Sequence, residues 1–297
     1  MVVITGASGF IGWNLYLRLV DKHDVLLVDF KKHASVPMMD PHEFLEKMKQ
    51  EDFRNRIKVV LHQGACSDTT VYDPFYMMRH NFDYSFDLFR ICLEYDVRFI
   101  YASSAAVYGD GPYREDEPSK LKPKNIYGQS KKLFDEYVNS YLGQTNIPQI
   151  VGLRYFNVYG PWEDRKGAMA SVMCQFKKQI DAGGKIKIFE NSDNYLRDFI
   201  YVEDVVSVND HFIENPHISG IFNCGTGIPQ PFTEIPKILG EYYDFEVEEI
   251  PMPDSLVEKY QRYTQANTAK LHNYGQYAKP FISLKGGISE YVKFWNR

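Results

Sequence analysis

The sequence predicts an α/β fold: a doubly wound parallel sheet, with a smaller lobe from the C-terminal part of the chain. Three observations carry this. About six or seven short apolar, β-branched runs alternate with stretches of helical periodicity. The first run leads into three glycines at three-residue spacing, then into Ile11, Leu15 and Leu19 at helical spacing. Small and polar residues recur just past the ends of the runs, where such sheets hold their ligands.

Composition narrows the field. Hydrophobic content of 44% and charged content of 25% describe an ordinary globular chain, and 297 residues suffice for two lobes. A net charge of -5 argues against a nucleic-acid or anionic-membrane surface. There is no apolar run long enough to span a bilayer, and Met1 leads straight into a strand with no basic, signal-like segment. Cys66, Cys92, Cys174 and Cys224 are too scattered for a zinc site or disulfide framework and read as reduced, mostly buried thiols. No metal is expected. Together these features point to the cytoplasm.

Val2–Thr5 reads as a buried parallel strand. In the turn that follows, Gly6 permits the tight bend, Gly9 lets the backbone approach a pyrophosphate, and Gly12 lets the helix pack against the strand. Val25–Val28 is the second strand. Asp29 at its end suits the ribose hydroxyls of NAD, whereas Lys31 and Lys32 suit the 2′-phosphate of NADP; a solvated loop accounts for these lysines as well. A helix is expected over about 41–50. Val59–His62 is the third strand, with His62 a packed strand-end residue. The small-residue loop Gln63, Gly64, Ala65, Cys66 and Ser67 would lie under the adenine and pyrophosphate. One helix over 74–95 would carry Asn81 beneath the cofactor. The fourth strand, over 98–102, runs into Ser104, placed either to hold a substrate hydroxyl or to cap a turn.

A charged, Gly- and Pro-rich stretch at 110–123 reads as a surface lid. The helix after it carries Tyr127 and Lys131, four residues apart on one face. A free Tyr, with a pKa of about 10, is a poor base at neutral pH, but a nearby ammonium and a cationic nicotinamide favour its phenolate. With 22 Tyr in the chain, roughly one or two Tyr-x-x-x-Lys matches arise by chance, so the pair needs its context. A strand over 150–153 leads to Asn157. A polar loop over 162–167 precedes a helix from about Met169 and a strand over 185–189. A strand from Arg197 precedes a helix that Asp204 would open, and 221–227 is a last strand and turn. These elements divide the chain into a nucleotide-binding domain over 1–160, rejoined at about 198–226, and a substrate lobe mainly over 161–297.

Taken together, Gly-x-x-Gly-x-x-Gly, Ser-Ser-Ala-Ala-Val-Tyr-Gly (103–109), Tyr-x-x-x-Lys, Arg-Tyr-Phe-Asn-Val-Tyr-Gly-Pro (154–161) and Arg-Asp-Phe-x-Tyr-Val (197–202) resemble the extended short-chain dehydrogenase/reductases, the NAD-dependent epimerase/dehydratase family, over essentially the whole chain. Four further stretches, at 63–70, 76–78, 166–171 and 260–266, resemble the branch that epimerises ADP-heptose for lipopolysaccharide core synthesis. The resemblance implies a Rossmann-type sheet, a tightly bound NADP with NAD as the alternative, an ADP-heptose substrate and a homo-oligomer. It implies that Phe10, Ile11, Asp29, Phe30, the 63–67 loop, Asn81, Lys131, Val158 and Lys166 line the cofactor. Tyr127 and Lys166 would be the acid/base residues, assisted by Lys131 and Ser104. Asn157, Ala168, Phe189, Glu190, Asn191, Ser192, Arg197 and Tyr260 would lie along the ADP-sugar, with Arg197 as diphosphate clamp. The chain departs from the pattern twice: the stretch after Asp29 is short and lacks clear counterparts of the basic residues that hold a 2′-phosphate, and Gln175 stands where the family usually has His. Ala105 and Ala106 replace the acid pair that a 4,6-dehydratase needs. A UDP-hexose 4-epimerase stays open as an alternative, and a non-catalytic nucleotide-binding relative would usually lack Tyr127 or Lys131.

Overall fold

In chain order the strands are β1 (Val2–Thr5), β2 (Val25–Val28), β3 (Val59–His62), β4 (Arg98–Ser104), β5 (Ile150–Tyr155), β6 (Asn157–Tyr159), β7 (Lys185–Phe189), β8 (Leu196–Tyr201), β9 (Gly220–Cys224), β10 (Pro229–Pro231) and β11 (Glu246–Ile250). The main helices are α1 (Phe10–Leu19), α2 (Pro41–Met48), α3 (Glu51–Arg54), α4 (Pro74–Met78), α5 (Tyr84–Glu94), α6 (Ile126–Asn139), α7 (Val172–Gly183), α8 (Val202–Glu214) and α9 (Glu234–Leu239), followed by Ala269–Asn273 and Leu284–Trp295. The computed structural model describes residues 1–31, 33, 35–110, 113, 120–253 and 261–297. The lid expected at 110–123 therefore falls largely outside the described residues, as do Lys32 and Tyr260.

Six strands form one sheet in the order β2-β1-β3-β4-β5-β9, and every neighbouring pair is parallel. Four-residue runs such as Val2–Thr5 and Val59–His62 are buried throughout because helices cover both faces. One core packs α1 and α8 on the sheet through Leu15, Leu19, Val205 and Phe212. The other packs α2, α5 and α6 through Phe44, Leu88, Phe89 and Phe134. The chain lays β2 on one side of β1 and β3 on the other. The order thus reverses between β1 and β3, and a crevice opens beyond their carboxyl ends.

The second lobe holds two small sheets, β10-β8-β6 and β11-β7, packed with the Leu284–Trp295 helix around Tyr159, Phe176, Ile188 and Tyr201. This moves the division expected from the sequence. β6 and β8 pair with each other outside the main sheet, so within 198–226 β9 rejoins that sheet, while α8 and Ile200 of β8 pack in the first core. Leu271, Tyr277 and Phe281 also pack there, although they lie far beyond that stretch.

Three local expectations change. The helix over 74–95 is split by a π turn at Arg79–Asp83. The 162–167 loop is a 3-10 segment, Glu163–Met169, and the next helix starts at Val172. Asp204 does not open α8; it sits in the first turn and accepts the Ile282 N–H at 2.9 Å, tying the helix to the C-terminal stretch. No helix among the described residues is long and apolar enough to cross a membrane.

Candidate active site

Backbone, more than side chain, builds the first part of the site. Gly6 has φ +66, and a Cβ there would stand 2.6 Å from the Gly64 nitrogen. A Cβ on Gly12 would stand 2.2 Å from the Gly6 carbonyl oxygen. These two glycines let β1, α1 and the loop after β3 close on one another. Gly9 has a different reason: its Cβ would meet only the Gly6 oxygen, at 3.1 Å, which leaves its outer side open. Gly9 begins α1 without a side-chain cap, so the N–H groups of Phe10 and Ile11 face the crevice at the positive end of the helix.

Asp29 does something the sequence did not indicate. One carboxylate oxygen accepts the Ser8 N–H (2.9 Å) and the Ser8 hydroxyl (2.8 Å), and the other accepts the Lys31 N–H (2.9 Å). The acid is folded back onto the glycine turn and braces it. Phe30 is 57% exposed, edge-on to His42.

The loop after β3 is tied at both ends. The Gln63 N–H donates to the Thr5 carbonyl (3.1 Å), and the Gly64 N–H to the Thr5 hydroxyl (3.3 Å). Cys66 exchanges both backbone groups with the Asn81 amide, at 2.7 and 3.0 Å, and Asn81 also donates to the Ser130 hydroxyl on α6 (3.1 Å). Asn81 is buried in the π turn, a distortion frequent at functional sites. Its amide is thus taken up by the protein, and it holds the loop where a direct polar contact with the cofactor was expected. Ala65 and Ser67 are exposed on this loop. Gln63 accepts the Tyr155 hydroxyl (3.1 Å), and its buried Nε2 has no partner among the described residues. A buried N–H of this kind is costly unless something accepts from it. Beside an open glycine cradle and an uncapped helix, it fits a bound dinucleotide. His62 bonds to Thr5 and Ser85, and burial holds its pKa down at about 3, with Lys131 adding to the shift, so it is a packed neutral residue.

α6 brings the acid–base candidates to β4. The Asn125 side chain caps the helix by accepting the Gly128 N–H (2.7 Å). Gly128 allows the first turn against the Ala106 carbonyl, which a Cβ would approach to 2.6 Å. Tyr127 is thereby set beside Ser104 and hydrogen-bonded to it, while Ser104 also accepts the Ala106 N–H (3.1 Å). Lys131 is 5% exposed and donates to the Ala102 carbonyl (2.9 Å). Burial pushes the Tyr127 phenol above its ordinary value, with the Ser104 hydrogen bond working against the shift. The Lys131 ammonium expected to favour the phenolate is bonded to a backbone carbonyl, and the cationic nicotinamide expected to favour it as well belongs to the loaded site. Burial also brings the Lys131 amine down to about 8, against an opposing pull from Asp135 and Cys66.

Lys166 lies on the Glu163–Met169 segment, its amine 5.9 Å from the centre of the Phe10 ring at the mouth of the glycine turn. Buried Glu163 fixes one end of the segment, accepting from the Gly160 N–H (3.2 Å) and from the N–H (2.6 Å) and hydroxyl (2.7 Å) of Ser171. Arg165 stacks on Trp13 at 4.3 Å and donates to the Ser8 carbonyl (3.1 Å). Burial lowers the Lys166 pKa, opposed by Glu163, and so favours the neutral amine that a base requires. Gln175 braces this segment from behind, donating to the carbonyls of Gly167 (3.3 Å) and Ala168 (3.4 Å).

The remaining candidates lie on the second lobe. Asn157 is exposed and Val158 half-buried on β6. Phe189, Glu190, Asn191 and Ser192 follow the end of β7, where Ser192 spends its hydroxyl on the Phe189 carbonyl (2.5 Å). Arg197 is buried on β8, donates to the carbonyls of Leu196 and Gln261, and lies over Phe232. The structure thus gathers the glycine turn, the 63–67 loop, Asn81, Ser104, Tyr127, Lys131 and Lys166 at the sheet's carboxyl edge, and leaves 189–192 on another sheet. Sequence reasoning missed Glu163, Trp13 and Arg165, which no spacing marks. It also missed a surface cluster at the opposite edge. There His23, Asp210 and Glu214 bring potential ligand atoms within 4.8 Å of one another, but Lys22 and Arg18 pair with Asp210, and Lys58 with Glu214.

An open glycine cradle, an unpartnered amide and a buried Tyr–Lys helix at the switch point of a doubly wound sheet define a protein that binds a nicotinamide dinucleotide and acts on a second ligand beside it. Residues 2–225 match the NAD dependent epimerase/dehydratase family, and the chain belongs to that family. It is 46% identical to an ADP-L-glycero-D-manno-heptose-6-epimerase of Brachyspira hyodysenteriae, over 99% of this chain and 97% of that protein. The crystal structure of the Helicobacter pylori ADP-L-glycero-D-manno-heptose-6-epimerase superposes with a TM-score of 0.81 at 30% identity, over 99% of this chain and 96% of that one. A Thermus thermophilus UDP-glucose 4-epimerase in complex with NAD superposes with 0.80 at 26%, over 99% and 98%.

Proposed function

We propose that this protein is an epimerase that interconverts ADP-D-glycero-D-manno-heptose and its L-glycero epimer, inverting C6″ with a tightly bound NADP. The observation that carries the reading is the approach of two titratable side chains to one crevice, Tyr127 beside Ser104 and Lys166 over Phe10, which we read as two proton-transfer groups. Inverting an unactivated carbinol requires passage through a ketone, and the cofactor, held where the glycine cradle and Gln63 fit it, supplies the reversible hydride acceptance. With the cofactor fixed in that cradle, the reacting end of the sugar would have to turn over between the two halves of the reaction. Each epimer then presents its hydroxyl to a different base. Tyr127 takes or returns the proton for one epimer, with Ser104 holding the oxygen. Lys166, its amine made less basic by burial, does so for the other. Lys131 orients the cofactor and keeps positive charge beneath Tyr127. NADP is preferred to NAD on the family resemblance; the Asp29 oxygens already accept three hydrogen bonds from Ser8 and Lys31, and one acceptor position of the carboxylate is left for a ribose hydroxyl.

The test is incubation of the purified protein with ADP-D-glycero-D-manno-heptose and chromatographic separation of the products, with the cofactor released by denaturation and identified alongside. A new epimer peak and released NADP are expected. Conversion of UDP-glucose to UDP-galactose without an ADP-heptose product would replace the reading with a hexose 4-epimerase, the activity named for the Thermus structure. Released NAD would overturn the cofactor assignment alone.

A further inference from the structure

A row of buried polar groups lies beneath the acid–base helix, and the proposed chemistry leaves it without a task. Asp135 follows Lys131 by one turn and Tyr127 by two. It is 1% exposed. One of its oxygens accepts the Tyr101 hydroxyl (2.9 Å); the other accepts the Ser103 hydroxyl (2.9 Å) and the Arg154 Nε (2.7 Å). Arg154 is 2% exposed and donates through Nη1 to the Tyr108 hydroxyl (2.9 Å), which donates to the Asn223 carbonyl oxygen of the side-chain amide (2.7 Å). The Asn223 amide donates in turn to the backbone carbonyls of Tyr113 (2.6 Å) and Asn267 (3.1 Å). Ser103, Arg154 and Asn223 stand side by side in register on β4, β5 and β9. The row crosses half the sheet at the level where Ala102 receives the Lys131 amine and Ser104 meets Tyr127.

Stability alone does not explain such a row. Removing two charges from water costs about as much as their attraction returns, and packed apolar residues would hold the same space as well. What the row delivers is a fixed position and a fixed charge. We propose that Asp135 and Arg154 are positioning residues for Tyr127 and Lys131: they lock α6 against the carboxyl ends of β4, β5 and β9 and hold one negative charge a turn away from the Lys131 amine. The proposal rests on reading Tyr127 and Lys131 as the acid–base pair. The groups facing Lys131 are Tyr127 and Asp135 on α6, His62 on β3, Cys66 on the next loop and the Ala102 carbonyl on β4. Of these, His62 is neutral, and Asp135 is the first of the influences drawing the amine's pKa back up against burial. Asp135 also disfavours the Tyr127 phenolate, though less than burial does.

The experiment uses the full chain with its cofactor bound and lysine side chains isotopically labelled. The Lys131 signal, assigned by its loss in Lys131→Met, is titrated by NMR in the wild type, Asp135→Asn and Arg154→Lys. Asp135→Asn is expected to lower the Lys131 midpoint by about one unit. Both limbs of the kcat pH profile should move to lower pH with it. Arg154→Lys keeps the charge opposite Asp135 but cannot also reach Tyr108. It should leave the midpoint in place and reduce kcat about tenfold at unchanged KM. Tyr108→Phe removes one hydroxyl from the row and should reduce kcat several-fold, again at unchanged KM. A folded Asp135→Asn with an unmoved Lys131 midpoint overturns the charge role. Wild-type kcat in Arg154→Lys or Tyr108→Phe overturns the positioning role, and these two serve if Asp135→Asn does not fold. If the wild type converts no ADP-heptose, the proposed function fails, while the lysine titration still decides the charge role.

Discussion

Tyr127 and Lys166 ride on segments built in opposite ways. Tyr127 starts a regular fourteen-residue helix, capped by Asn125 and pinned to β4 by Lys131 and Asp135. Lys166 sits on a seven-residue 3-10 segment interrupted at Gly167, where φ is 58 and ψ -121. Gly167 breaks the run of helical turns. The segment's shape comes from Glu163 at one end, Arg165 on Trp13, and Gln175 behind the backbone. Tyr127 is thus part of the sheet's own packing, while Lys166 lies between the glycine turn and the second lobe. Helix and sheet alone place the buried phenol here, whereas the amine that the proposal makes a second base depends on an irregular segment with its own clamps.

The comparison can be broken most forcefully at the phenol. Tyr127→Phe removes one hydroxyl and should lower kcat by about 10³-fold, within the usual range for losing a positioned acid–base group. Cofactor content, read after denaturation, should stay at the wild-type level. Lys166→Met is expected to cost about 10²-fold in epimer conversion, again with the cofactor retained. Asn81→Ala tests whether the 63–67 loop matters through its anchor. It leaves both backbone groups of Cys66 without partners, at about 1–3 kcal/mol, and should weaken cofactor retention about tenfold on dialysis. The smallest effect is a pH dependence. Burial brings the Lys131 pKa down to about 8 in the folded chain, against 10.5 ordinarily. Between those values the unfolded chain binds more protons, so the cost of burying the ammonium is present in full below about 8 and is relieved as pH rises. Activity that depends on the ammonium should fall over the same rise. A kcat profile and denaturation midpoints from pH 7 to about 10 would show the two moving in opposite directions.

The regular segment is also the one the sequence revealed. The four-residue spacing of Tyr127 and Lys131 and the preceding strand are local signals, and the structure places the pair on one helix after that strand as expected. The glycine turn was legible for the same reason, since each glycine answers to a close approach within a few residues or to the next loop. Elsewhere, partners far apart in sequence decided the outcome. Asp29 was recognised as the acid after β2, yet Ser8 claims one of its oxygens from 21 residues away. Asn81 was singled out, but its partners Cys66 and Ser130 are assembled by a π turn that no spacing announces. β8 looked like a member of the main sheet because a short apolar run does not say which sheet it joins. Lys166 has no periodicity around it and entered only through family resemblance.

The most direct measurement starts from each of the two ADP-heptose epimers separately and follows interconversion by chromatography in the wild type, Tyr127→Phe and Lys166→Met. Interconversion from both ends in the wild type, and its loss from both ends in each variant with the cofactor still bound, is the result predicted by two bases on two segments. Wild-type rates from both ends in Lys166→Met would contradict it and leave Tyr127 serving both epimers.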